Sequence, residues 1–248
     1  MQMICKNCNY DFAGNYCPDC GQKAKTEQIN WKYLQDEFKY TFLHINGGFF
    51  YTIKELLTRP GHAIREFLEG KRVRHYKPIL LLFVLAGLYG FLLHYIDYAK
   101  ILTVQSDKTN PIDTMAFYEW MRNNYSFVEI ALLPLIAFTS WLAFRKWKYN
   151  FIEHLILNAF IAAQRLIITL MFYPLMLIFD SPSGYTIIFG ILSSCTLLAT
   201  GWSYMQFYDD HPAGPTILRV LLMSVYFIML VLLLTVIATV AYLTVTIG

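Results

Sequence analysis

The chain has no HExxH, no nucleophile elbow, no phosphate-cradling glycine loop and no paired-aspartate site. The short motifs that announce metalloprotease, hydrolase or nucleotide chemistry are therefore missing. Its amino terminus is polar and holds cysteine rather than an apolar core, so no cleaved signal peptide is expected. It shows no lipidation motif. Charge is scarce: 15% of residues are charged against 56% hydrophobic, outside the balance of an ordinary soluble domain. Most of the Lys and Arg residues precede Pro78 and mix there with acids, which argues against a nucleic-acid stripe. Past residue 20 the only cysteine is Cys195, inside an apolar run and expected to act as a small buried hydrophobe.

What is present divides at one junction. RPGHAIREFLEGKRVRHYKP, starting at Arg59, runs into ILLLFVLAGLYGFLLHYIDY, ending at Tyr98. A basic elbow (Lys71, Arg72, Arg74, Lys77) meets an apolar run long enough for a bilayer. The expected organisation is a ribbon over residues 1–25, amphipathic helices over 26–77 and a transmembrane bundle over 78–248.

Cys5-Lys-Asn-Cys8 and Cys17-Pro-Asp-Cys20-Gly21 are two CxxC knuckles. Each presents two thiolates on one side of a tight loop, and two facing knuckles make a closed tetrahedral site for structural zinc. Gly21 is placed to take a positive φ after the second knuckle. Iron in a rubredoxin-like site and a pair of disulfides are the alternatives; disulfides would require an oxidising compartment. Four protein ligands leave no open position for catalysis. A unit this small must draw its folding energy from the metal.

Trp31, Leu34, Phe38, Phe42 and Ile45 recur at helical spacing, with Lys32, Asp36 and Lys39 off that face. Asn46-Gly47-Gly48 breaks this helix, and Phe49 to Leu57 forms a second apolar segment. A short helix from His62 to Glu69 is stopped by Gly70. These helices lie at the membrane interface or form a soluble collar. His44, His62 and His75 are not needed as ligands once four thiolates are in place. Lys71, Arg72, Arg74 and Lys77 contact lipid phosphates or act only as topology determinants.

The CxxC…CPDCGQ pattern, NGGFFYTIKELLTRPG, FLEGKR and the HYKP entry together resemble the domain of unknown function 3667 family, as does the Glu153-His154 step before a membrane helix. That resemblance implies a bacterial membrane protein with an amino-terminal zinc ribbon, and it carries no activity to transfer.

Five apolar runs, at 79–96, 127–144, 152–179, 185–207 and 217–247, are expected to span as helices. The fold class is thus an all-α integral membrane protein, a five-helix bundle behind a four-cysteine zinc ribbon. Pro134 and Pro174 predict kinks, and Trp120, Tyr125, Trp141, Trp147, Trp202 and Tyr208 sit where an interfacial belt would. The elbow and the Arg145-Lys146/Lys148 turn are basic, while Asp180–Gly184 has no base. The positive-inside rule then puts the ribbon in the cytosol and the carboxyl terminus outside the inner membrane.

The third run carries the costly residue. Arg165 lies ~15 Å past Leu155 at helical rise, near mid-bilayer. His154, Asn158, Arg165 and Thr169 share a face there; Ser193, Thr196, Thr200 and Ser203 repeat the pattern in the fourth run, and Ser224, Thr235, Thr239 and Tyr242 in the fifth. These stripes predict one polar seam, either a functional intramembrane site or close helix packing with Arg165 snorkelling or paired internally. Glu153 and His154 point about 100° apart, which favours a helix-capping role over shared acid–base work. No catalytic residue is assigned. The expected function is non-enzymatic, with the ribbon recruiting or sensing a protein partner, or joining a homo-oligomer, beside membrane lipids. The alternative is a small transporter, channel or lipid-binding protein built on the Arg165 seam.

Overall fold

The structure is a computed structural model that describes residues 3–26, 29–32, 48–95, 114–179 and 181–247. Past Lys32 the expected Trp31–Ile45 helix lies outside these residues, as does His44.

The ribbon opens on two short antiparallel strands, β1 (Met3–Ile4) and β2 (Asp11–Phe12), with Met3 opposite Phe12. A bridge between Tyr16 and Lys23 closes its second loop. Two short helices follow, α1 (Gly48–Thr58) and α2 (Pro60–Glu69). Pro60 opens α2 at a position where its missing N–H costs nothing. Gly70 ends α2 at φ 113°, with its own N–H on the Phe67 carbonyl and that of Lys71 on Glu66, a Schellman stop.

Five long helices come next: α3 (Pro78–Leu92, continued by a 3₁₀ turn Leu93–Tyr95), α4 (Thr114–Ala143), α5 (Phe151–Ile178), α6 (Pro182–Phe207) and α7 (Ala213–Ile247). All five are long and apolar enough to cross a membrane. They match the five expected runs, with one shift: α4 begins well before residue 127, because the polar stretch around Trp120 and Arg122 continues the same helix.

α5 is the axis. It packs on α3, α4 and α6 and touches α1 and α2, at Gln164 against Leu56 and at Phe160 against Phe67. Of its apolar window 67% is buried, against 0% for α7, which lies at the edge on α4 and α6. A capping box starts α5: the Asn150 side chain accepts from Glu153 N–H, and the Glu153 carboxylate accepts from Asn150 N–H. Glu153 is therefore spent on a helix terminus, as the capping alternative had it.

The ribbon-side ends are tied together by arginines. Arg65 of α2 donates to the Gln206 and Phe207 carbonyls (2.7 and 2.5 Å) that end α6, and pairs with Asp209 at 2.5 Å. Arg219 of α7 donates to the Ala143 carbonyl that ends α4 (2.5 Å) and covers the Trp147 ring. Each guanidinium satisfies carbonyls that a helix leaves unbonded at its carboxyl end. Gly61 permits the approach of α2: a Cβ there would stand 2.5 Å from the Ser203 carbonyl.

Candidate metal centre and intramembrane polar site

The two knuckles fold alike. Cys5 N–H donates to the Tyr10 carbonyl and Cys17 N–H to that of Gln22, while the Cys5 and Cys17 carbonyls accept from Asn9 and Gly21. Asn9 (φ 62°) and Gly21 (φ 73°) each turn left-handed just after the second cysteine of their knuckle. Gly21 was legible in advance. Asn9 was not assigned, although asparagine is a residue that visits this region.

These turns bring the four Sγ atoms within 4.8 Å of one another. Cys5 and Cys20 are 3.5 Å apart, as are Cys8 and Cys17. A disulfide needs ~2.05 Å, and all four are free thiols, so the pairing alternative fails here. Sulfurs bound to one tetrahedral ion at ~2.3 Å lie about 3.8 Å apart, and the cluster fits that donor set. Burial opposes ionisation of Cys20, but hydrogen bonds from the Gln22 backbone and the Asn7 side chain bring its thiol down to about 7. At Cys8 the Tyr10 backbone hydrogen bond is outweighed by burial and the neighbouring thiols, which push its thiol up, so that with no ion present one proton stays within the cluster. The four cysteines can hold a metal ion.

The ribbon is braced on the elbow. Gln22 Nε2 donates to the Gly70 carbonyl at 3.1 Å, and a Cβ on Gly70 would meet Thr26 and Lys6. Asn150 reaches the Ile29 carbonyl from the start of α5. The elbow is pinned in turn on α1, where Thr52 Oγ1 accepts from Tyr76 N–H at 2.7 Å.

Of the four elbow cations, Lys71 lies 3.4 Å from Glu66, and Arg72 donates to the Phe67 carbonyl and lies over that ring. Arg74 is exposed. Glu66 also takes a fork from Arg59 at 3.2 and 3.3 Å. The fork and Lys71 outweigh burial and hold the Glu66 carboxyl low.

The predicted polar seam is two sites, a correction to the single stripe. The first is closed. His154 Nδ1 and Ser140 Oγ are 2.7 Å apart, and Tyr204 Oη lies 2.9 Å from Ser140 and 2.8 Å from Asn158 Oδ1. Tyr208 Oη approaches His154 Nε2 at 3.4 Å. Buried on every side, this network joins α4, α5 and α6. Gln164 makes a similar tie, accepting from Ser203 and donating to the Leu56 carbonyl.

The second site is open. Arg165 Nη2 donates to Glu129 Oε1 of α4 at 2.6 Å. Around this ion pair is a cavity of about 250 Å³, lined by Tyr89 and Tyr125, Thr169, and Leu192, Ser193 and Thr196. Arg165 therefore pairs internally, and its partner is a residue the sequence reading did not single out. The fact that Glu129 is the sole acid inside the second apolar run was the available signal. Thr200 does not line the cavity; its hydroxyl returns to the Thr196 carbonyl. The fifth-run stripe does not join either site: Ser224, Thr235 and Thr239 bond to carbonyls of α7 itself, and the Tyr242 side chain lies outside the described residues.

The segment that carries α1, α2, the elbow and most of α3 also has a counterpart elsewhere. Residues 46–90 match the family model described as Protein of unknown function (DUF3667). Over this segment the chain is similar to that family. The DUF3667 match includes neither the cysteine ribbon nor Glu153-His154. No curated protein and no solved structure matches the chain.

Proposed function

We propose that this is a non-enzymatic multi-pass protein of a bacterial inner membrane, with a structural zinc ribbon held in the cytosol that recruits or senses a partner protein. The observation that carries it is the closed four-thiolate cluster braced on the elbow by Gln22 and Gly70. Four ligands leave no catalytic position, so the ion serves as a fastener. On this small unit Ile4, Tyr10 and Tyr16 stand 68%, 51% and 59% exposed, which suits a docking surface for a partner or a second copy. Lys71, Arg72, Arg74 and Lys77 are the elbow cations that would meet lipid phosphates, and Arg74 is exposed for it. The test is Cys17→Ser: proteins that co-purify with the wild type should be lost while the five helices still insert. Undiminished co-purification would remove the ribbon from the function.

The open cavity favours a second function at another level of the molecule, the binding or passage of a small molecule or lipid at Arg165 and Glu129. Arg165→Leu should then abolish binding or flux in reconstituted vesicles. Unchanged activity with unchanged expression would count against it.

A further inference from the structure

We infer that the cavity around Arg165 and Glu129 takes the uncharged, carbonyl- or hydroxyl-bearing head of an amphiphile that enters sideways from the bilayer. The inference rests on the second function proposed above and names its ligand class.

Position comes first. Arg165 is fourteen residues past Phe151, ~21 Å along α5, so the cavity lies near the middle of a span. Its walls come from α3, α4, α5 and α6. α4 and α6 do not pack substantially on each other; α5 lies behind the gap between them. α7 packs on both α4 and α6, with Val220, Met223 and Tyr226 against the core toward its ribbon-side end. Phe227, Leu230 and Val231 are half-buried, the large side chains from Leu232 to Ile237 are exposed, and none of the α7 residues lines the cavity. Ser193 is exposed and the Arg165 side chain 38% exposed at the cavity's edge. In a membrane, the opening between α4 and α6 faces hydrocarbon.

Chemistry narrows the occupant. The Arg165–Glu129 pair is neutral overall, and an ionic ligand would have to break a 2.6 Å contact in a low-dielectric setting. A phosphate head would also need to descend far below its own depth. An uncharged head keeps the pair intact. It can accept from the guanidinium N–H groups not turned to Glu129 and donate to the second carboxylate oxygen. The Thr169 and Thr196 hydroxyls donate to carbonyls of their own helices, so they offer only lone pairs to a ligand. Tyr89 and Tyr125, edge to face at 5.0 Å, supply an aromatic wall. The space suits a head group alone, with its tail left in the bilayer. Two sources fit: a prenyl-type quinone or quinol, and an acylglycerol.

The full chain in nanodiscs, titrated with a decyl-substituted benzoquinone, a monoacylglycerol or an anionic phosphatidylglycerol and read by native mass spectrometry, tests this. One saturable copy of either neutral probe should bind, and which one does identifies the source. Arg165→Gln should weaken binding at least about tenfold through loss of a charge-assisted donor. Should that variant fail to fold, Ser193→Trp fills the mouth without touching the ion pair and should block the probe, while Ser224→Ala on α7 should not. Arg165-dependent binding of phosphatidylglycerol alone would overturn the ligand class and leave the cavity as a site. Absence of saturable binding by all three, or binding that survives both variants, would overturn the site as well.

Discussion

Arg165 and Glu129 show how much one contact changes the meaning of a residue. Alone in a span, an arginine is an expensive charge; against Glu129 it is half of a neutral pair. Arg165→Leu leaves a carboxylate 12% exposed without its partner, so the protein should lose about 3 kcal/mol or more, seen as a lower midpoint in detergent unfolding. The double variant Arg165→Leu/Glu129→Leu should regain most of that loss. A double-variant loss equal to the sum of the two single losses would show that the pair does not couple. His75 is a second residue-scale case. Burial against Phe67 and Tyr51 pushes its pKa down to about 4, with Glu66 opposing the drop and Arg59 and Lys71 adding to it. The folded pKa lies below the unfolded value, so the unfolded state takes up the proton first. Stability from the neutral ring is full above about pH 6.5 and falls as pH drops, until it is lost below about 4, at most about 3 kcal/mol. His75→Gln should flatten the stability profile in that window; an unchanged slope would exonerate the ring.

Elements meet here through backbone as much as through side chains. Gly61 has Ser203 and Phe207 backbone against the place a Cβ would occupy, and backbone cannot swing aside. Gly61→Ala should therefore lift α2 off the end of α6 and cost about 1–3 kcal/mol. A matching loss of the Arg65 clamp should appear as faster proteolysis after Gly70. The ribbon is an element of another kind, held by its knuckles rather than by a core; Cys5, Phe12 and Cys17 are its buried cluster. A strong chelator should open it to protease while the helical circular dichroism of α3 to α7 barely changes. Elemental analysis should return one zinc per chain.

Across the whole molecule the five long helices alternate in direction. α3 leaves the ribbon side, α4 returns to be capped by Arg219, α5 leaves, α6 returns to Arg65, and α7 leaves again. Ribbon and carboxyl end are thus on opposite faces. With the ribbon in the cytosol, an impermeant thiol reagent should label Ser183→Cys in intact cells and Lys146→Cys only after permeabilisation, both in a Cys195→Ala background. The opposite pattern would invert the protein in its membrane.

Apolar helices of bilayer length, helix ends and knuckles could be read from the chain because each depends on local chemistry. An apolar run of bilayer length is helical wherever it packs, CxxC closes its own turn, and Asn150 with Glu153 makes its own cap. The partner of Arg165 could not be read, since a helical wheel says which residues share a face but not which neighbour that face meets. For the same reason the polar stripe looked single: its ribbon-proximal part met Ser140 and Tyr204 and closed, and its middle met Glu129 across a gap and stayed open. Only the rotation of α4 and α6 about α5 chooses between a sealed tie and a cavity. That rotation is set by long-range packing, to which no local stretch of residues holds the key.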